Sequence, residues 1–420
     1  MIQPSPERAA DLAGITVPAR ALWANRILLD RALRQQSLFE LKCAPMKRKK
    51  RADDLRAWAF EEGFDRAGVA ELGASGNGSA LSDWLARGDH AEMRYLERRL
   101  DTRLDPKQIM PGAKSVLCVA LQYHPLKHQD ALAGDLWPRV ARYARGDDYH
   151  LFMERSLRRL ASRVEEAFPG NQAKVYVDTG PVLERELAAK AGLGSVGKNT
   201  NLLDAEIGSW FLLGEVFLTL DLEPDLPAGD LCGTCSLCLE ACPTGALPEP
   251  YRLDSRRCIS YWTIEHRGAI PSDIRPSLED WVFGCDVCQE VCPINLDLEP
   301  VPHSEFAVPD HRADLDLTAL LSMGREEYTE AFRRSPMKRS KLSGLQRNAA
   351  VAMGNSAVPR YTEPLIQALI GGEALLRRHA AWALGRIGSP EGLAALRQAL
   401  ESEVASEVRD EIQVALQVAG

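Results

Sequence analysis

Eight cysteines between Leu231 and Asn295 carry the most legible chemistry in this chain. The run CGTCSLCLEACP sets Cys232, Cys235, Cys238 and Cys242 at spacings of 3, 3 and 4 residues, followed by Pro243. The run CDVCQEVCP sets Cys285, Cys288 and Cys292 before Pro293. A C-x2-C-x2-C-x3-C-P pattern binds [4Fe-4S] clusters, and its fourth cysteine ligates the other cluster where two are present. Val282 stands where the second run's first cysteine belongs, and Cys258 is the nearby candidate to replace it. The expected ligand sets are Cys232, Cys235, Cys238 and Cys292 for one cluster, and Cys242, Cys258, Cys285 and Cys288 for the other. Structural zinc is the alternative, since four-cysteine zinc sites also use C-x2-C pairs. A disulfide framework suits a chain of this size poorly.

A second place for chemistry is the stretch VYVDTGPVLERELAAKAGLGSVGKNTNLL, residues 175–203. A strand ending at Val177 puts Asp178 at its exposed end. Thr179-Gly180-Pro181 makes the turn, and Val182–Ala191 reads as a helix. A carboxylate at a strand's end, facing a glycine-rich loop, is where a proton donor or cofactor contact belongs. Its other reading is a helix cap or turn residue. Gly192–Lys198 lacks the spacing of a phosphate-binding P-loop.

The elements that position these groups form several units. A chain of 420 residues holds about two to four domains. The 45% hydrophobic and 26% charged composition is that of a soluble protein. Cluster-forming cysteines predict a reducing compartment, the cytoplasm. The start of the chain lacks a secretory signal pattern. The apolar run Ile207–Leu222 is interrupted by Glu215 and Asp221, so no membrane span is expected. A net charge of −8 argues against a uniformly basic nucleic-acid binder but leaves room for local basic patches.

Residues 1–45 read as a doubtful extension, with helical apolar spacing over Ala19–Leu41 and a second start at Met46 before the basic run Lys47–Arg51. Residues 46–226 are mixed α/β. Helices are predicted over Ala52–Gly63, Leu81–Arg87, His90–Leu100 and Leu151–Glu166. Strands are predicted over Ser115–Leu121 and Lys174–Val177, with a pair around Ile207–Leu220. The apolar run through Cys118 predicts a strand buried on both faces with a core thiol. Residues 227–300 hold the cysteines. In residues 301–420, LQRNAAVAMG, LRRHAAWALG and EVRDEIQVAL align at a period of 31, with Arg347, Arg378 and Arg409 in register. That period, with Thr362–Ile370 and Pro390–Leu400 as partner helices, predicts a HEAT-like solenoid. The fold class is α+β: a mixed α/β domain, a ferredoxin-like double-cluster domain and an all-α repeat. Upstream of the repeat, AFRRSPMKRSKLSGLQR gathers Arg333, Arg334, Lys338, Arg339, Lys341 and Arg347, read either as a solvated face or as a phosphate-binding surface for RNA.

Four motifs in order, VDTGPVLERELAAKAGLGSVGKNT, CGTCSLCLEACPTGAL, CISYWTIEHRG and FGCDVCQEVCPIN, closely resemble the epoxyqueuosine reductase family over about residues 46–420. The resemblance implies reduction of the epoxide of epoxyqueuosine to queuosine at the tRNA wobble base, on tRNA with a GUN anticodon. It implies cobalamin, bound without the D-x-H-x-x-G motif, and two [4Fe-4S] clusters fed by an external electron donor. It makes residues 46–226 the cobalamin-binding catalytic domain, residues 301–420 the tRNA contact, and the protein a monomer. Asp178 becomes the proton donor. Cofactor contacts are implied for Arg103, Lys198, Asn199, Leu202, Ser260 and Asp286, and tRNA contacts for His266, Arg267, Lys338, Arg339, Lys341 and Arg347. Ser195 departs from the family, which often carries an aromatic there.

Removing the epoxide oxygen as water takes two electrons and protons, which side chains alone cannot supply. To serve as the acid, Asp178 would need a pKa above the usual value of about 3.9, through desolvation by the corrin. Two other classes share parts of the pattern. One is an iron–sulfur module feeding electrons to a partner enzyme. The other is a corrinoid reductase of a small molecule, like the reductive dehalogenases. Neither needs a polyanion-binding surface.

Overall fold

The computed structural model describes residues 46–124, 138–299, 301, 303–313 and 316–419. The expected helix at Ala19–Leu41 lies outside them. Strand β2 (Ser115–Gln122) is apolar from Val116 to Leu121, and every one of its residues is buried. It is flanked by β1 (Arg66–Glu71), paired Gly68 to Cys118, and by the strand Phe211–Leu218, paired Cys118 to Glu215. Counting in chain order, β3 is Arg139–Val140, β4 Ala173–Tyr176, β5 Ser195–Val196, β6 Leu202–Leu203, β7 Phe211–Leu218 and β8 Trp281–Phe283. The main sheet runs β1-β2-β7-β4 with every pair antiparallel.

Both faces of this sheet are covered, which explains why β2 shows no alternation. One face meets α1 (residues 46–61) and α4 (Tyr149–Ala167). There Leu55, Met153, Leu157 and Leu160 pack on Leu117, Val119 and Val216. The other face meets α5 (Glu184–Lys190), with Leu187, Ala188 and Ala191 on Val116, Cys118 and Phe217. Gly68 permits that approach: a Cβ there would meet the Ala191 carbonyl oxygen at 2.1 Å.

The region between α2 (Gly78–Ala86) and β2 departs from expectation. A helix over His90–Leu100 is replaced by a 3-10 turn at Arg94–Leu96 and a short α3 (Leu100–Leu104). Ala91 and Arg99 adopt left-handed backbone at φ 52° and 55°, which breaks a continuous helix. The expected strand pair around Ile207–Leu220 is the single strand β7.

The cysteine block has little regular structure. Its short helices α6 (Leu237–Glu240) and α7 (Val287–Glu290) each follow a cysteine loop. Val282 lies fully buried in β8, which pairs parallel with β3. A strand core has no place for a ligand, so the missing cysteine must come from elsewhere.

Beyond it come α8 (Asp310–Ala313), α9 (Leu317–Ser322), α10 (Arg325–Phe332), α11 (Lys341–Ser356), α12 (Thr362–Gly371), α13 (Ala374–Ile387), α14 (Pro390–Ser402) and α15 (Ser406–Ala419). The helices α11, α13 and α15 stack through small residues, including Ala349, Ala350, Ala380 and Ala381. Gly354 and Gly385 set the spacing. A Cβ at Gly354 would meet the Trp382 ring at 2.6 Å, and one at Gly385 would meet Ala415 Cβ at 2.7 Å. Among the described residues no helix is long and apolar enough to cross a membrane.

Candidate active site

Cys232, Cys235, Cys238 and Cys292 line one cavity of about 90 Å³, closed by Lys198, Asn199, Leu203, Pro293 and Ile294. These are the four sulfurs that the ferredoxin pattern assigns to one cluster. Cys242, Cys258, Cys285 and Cys288 form the second group, each within reach of the others' charge. Burial pushes the Cys238, Cys258, Cys285, Cys288 and Cys292 thiols up, so their thiolates need a cationic partner. No three His, Cys, Asp or Glu side chains among the described residues converge on a point for a single metal ion. All-thiolate donor sets of this kind suit iron–sulfur cubanes.

Polar groups already address these sulfurs. The Lys198 N–H donates to Cys232 Sγ at 3.4 Å, and the Ala246 N–H donates to Cys242 Sγ at 3.2 Å. Lys198 Nζ donates to the carbonyls of Gly233 and Cys235, both at 2.8 Å. Asn199 Nδ2 donates to the Cys288 carbonyl at 3.1 Å, so this pair of residues holds both cysteine loops against the α/β domain.

Asp178 lies two residues beyond β4, with φ at 56°. Its N–H donates to Glu184 Oε1 at 2.6 Å, which fixes the turn, and its side chain is 61% exposed. His150 Nε2 lies 3.4 Å from Asp178 Oδ2, and its Nδ1 lies 2.7 Å from Asp148 Oδ1. Burial alone would lower the His150 pKa; hydrogen bonds to Asp148 and Asp178 outweigh it and raise it to about 9. An imidazolium therefore sits beside Asp178 at neutral pH. Lys338 Nζ bonds the other oxygen of Asp148 at 2.6 Å. Arg103 donates to the Gly180 carbonyl at 3.5 Å, at the same turn. Tyr95, 43% exposed, lies under the Arg339 guanidinium, which also grips Glu265 through two bonds of 3.0 and 2.8 Å.

Residues 103–179 match the family described as epoxyqueuosine reductase QueG, DUF1730. Residues 231–295 match a 4Fe-4S double cluster binding domain, and residues 338–417 match HEAT repeats. An epoxyqueuosine reductase of Xanthomonas campestris pv. campestris is 40% identical over 344 residues, 80% of this chain and 95% of that one. The chain belongs to the epoxyqueuosine reductase family. It is an oxidoreductase, and the reaction of its family is reduction of the epoxide of epoxyqueuosine. Among solved structures, an epoxyqueuosine reductase with a tRNA-Tyr epoxyqueuosine-modified tRNA stem loop superposes with a TM-score of 0.78. It is 30% identical, over 87% of this chain and 98% of that one. An epoxyqueuosine reductase from Bacillus subtilis, with its catalytic aspartate loop swung out of the active site, has the same TM-score, identity and coverage.

Two residues expected on tRNA need correction. Arg347, expected on tRNA, is 0% exposed and donates to the carbonyls of Trp262, His266 and Gly268 at 2.7–2.9 Å. His266, also expected on tRNA, is buried, with Nδ1 3.0 Å from Glu92 and Nε2 3.1 Å from the Ala269 carbonyl. Both are stitching residues, because every polar atom they could offer RNA is already used inside. Leu202, expected at the cofactor, is buried in the apolar layer around α5. Asp286 is buried and accepts the Arg142 N–H at 2.7 Å; burial raises its pKa to about 6. Ser260 is partly buried and hydrogen-bonds Cys258. Arg267, Lys338, Arg339 and Lys341 are exposed. No role is expected from the sequence for His150 or Glu184, although Glu184 lies within the motif VDTGPVLERELAAKAGLGSVGKNT.

Proposed function

We propose that this chain reduces epoxyqueuosine at the wobble position of a GUN-anticodon tRNA to queuosine, with cobalamin beside Asp178 and electrons from an external donor through two [4Fe-4S] clusters. The observation that carries the reading is Asp178 itself. It is an exposed carboxylate on a glycine-rich turn, with His150 Nε2 3.4 Å away as a second proton-bearing group. A catalytic aspartate loop in the Bacillus subtilis relative supports the same role.

The residues around it fit a large corrinoid. Asp178 and Tyr95 are exposed, and among the described residues Arg103 Nε and Ser195 Oγ are buried polar atoms without hydrogen-bond partners. A corrin rimmed with amides would satisfy such atoms, and Arg103, Asp178 and Ser260 would hold it. When bound, cobalamin supplies the electrons that carbon–oxygen cleavage consumes. Asp178 gives its proton to the epoxide oxygen, since an alkoxide leaves poorly at neutral pH. His150 then stabilises the carboxylate that remains. Arg267, Lys338, Arg339 and Lys341 form the exposed cationic face that meets tRNA phosphates.

The test is turnover of tRNA carrying epoxyqueuosine by anaerobic, reduced protein supplied with cobalamin, read by nucleoside analysis. Asp178→Asn should lose about 10²- to 10⁴-fold in rate while keeping both clusters and the corrinoid spectrum. Undiminished turnover by that variant would sink the assignment.

A further inference from the structure

The displaced cysteine of the second group has a support in the α/β domain. Cys258 comes from outside both cysteine runs, so no C-x2-C turn shapes its approach. It follows the 3-10 turn Ser255–Arg257, and its N–H donates to the Ser255 carbonyl at 3.0 Å. That turn is gripped by Asp89, which lies just beyond α2 and is 0% exposed.

Asp89 meets the loop with three acceptors. Its backbone carbonyl accepts the Ser255 N–H at 2.8 Å. Its Oδ2 accepts Arg252 Nε at 2.9 Å. Its Oδ1 accepts Arg256 Nη2 at 2.9 Å and Arg252 Nη2 at 3.3 Å. Arg87 Nε, from the same segment as Asp89, completes the carboxylate at 3.0 Å. Beside it, Trp84 of α2 donates to the Leu253 carbonyl at 2.6 Å. The loop also reaches a second ligand. The Asp254 N–H donates to the Ala246 carbonyl at 2.8 Å, and the Ala246 N–H donates to Cys242 Sγ at 3.2 Å. A carboxylate sealed from water among guanidiniums is stable only while its partners stay, so these contacts hold or fail together.

We infer that Asp89 is the positioning residue for Cys258, holding its loop so that this thiolate closes the second [4Fe-4S] cluster. The inference rests on Cys258 being a ligand. Asp89 ligates nothing itself and acts through the turn. It supplies from the α/β domain what the ferredoxin pattern lost when Val282, buried in β8, took the place of a cysteine.

The test uses the anaerobically purified full chain with both clusters loaded, oxidised with ferricyanide and followed by electron paramagnetic resonance and iron analysis. A cubane that lacks its fourth thiolate converts readily: [4Fe-4S]²⁺ releases Fe²⁺ and passes one electron to ferricyanide, leaving a paramagnetic [3Fe-4S]⁺ cluster. In Asp89→Asn that signal should grow about 10- to 100-fold faster than in wild type, the loss typical of a missing outer-shell contact. It should stop at one cluster per chain, because Cys232, Cys235, Cys238 and Cys292 rest on other contacts. The paired change Arg252→Gln with Arg256→Gln removes the same bonds from the loop side, leaves α2 intact, and should give the same signal. A second cluster as durable as wild type's in that pair, or in a folded Asp89→Asn, overturns the inference. Equal conversion of both clusters, the mark of general unfolding, overturns it too. Cys258→Ala separates the premises. Durable four-iron clusters at both sites in that variant overturn the Cys258 assignment, whereas conversion there beside durable clusters in Asp89→Asn overturns the role of Asp89 alone.

Discussion

Asp148 accepts from the His150 ring at 2.7 Å and from Lys338 at 2.6 Å, and together these bonds outweigh its burial and hold its pKa at about 2. His150 gains from Asp148 and Asp178 together, and its pKa rises from 6.5 to about 9. A raised histidine stabilises the fold fully below pH 6.5, and that contribution is lost as pH climbs through about 9. The wild-type melting temperature should therefore decline over that window, and His150→Gln should start lower and decline less. Tryptophan fluorescence melts of the anaerobic holoprotein, run from pH 6.5 to about 9, decide it. An equally steep decline in the variant would contradict the ion pair. Asp178 could be found in the sequence because a strand end, a turn and glycines all mark it. His150 could not, because its role depends on α4 starting beside β4, and no local pattern encodes that meeting.

The repeat helices show what a period can and cannot say. Ala350, Ala381 and Ile412 fall in register at a spacing of 31, and all three are fully buried, so the inner stripe was legible. The three arginines in register meet three different surroundings. Arg347 is buried on loop carbonyls, Arg378 reaches Glu411 at 3.0 Å, and Arg409 caps the Glu403 carbonyl at 3.0 Å. A period names the face a residue occupies, while the neighbour of that face is set by the rest of the chain. Arg347→Ala should therefore destabilise the protein by on the order of 3 kcal/mol, because it strands buried carbonyls. Lys341→Ala, on the exposed start of the same helix, should leave the melting temperature unchanged. Equal melting temperatures for wild type and Arg347→Ala would refute the buried role. The lost helix at His90–Leu100 has a similar cause: apolar spacing pointed to a helix, but Ala91 and Arg99 take left-handed backbone.

At the scale of the whole molecule the net charge is −8, so a polyanion is repelled unless the cations are concentrated. Exposed cations gather where Arg267 follows the Cys258 loop, where Lys338 and Arg339 precede α11, and at Lys341, the first residue of α11. They also join the three parts of the fold, since Lys338 ties the repeat to Asp148 and Arg339 ties it to Glu265. RNA held there would be held next to Asp178, so the contacts that bind also position. Binding of an anticodon stem loop should then weaken steeply with salt. Each phosphate contact removed should cut the slope of log affinity against log salt by about 0.7. Arg267→Ala and Lys341→Ala should each show that reduction in fluorescence anisotropy titrations at several salt concentrations. Arg347→Ala, buried and committed to carbonyls, should leave the slope of its folded fraction intact. A slope that dropped for Arg347→Ala and held for Lys341→Ala would place the RNA on another surface.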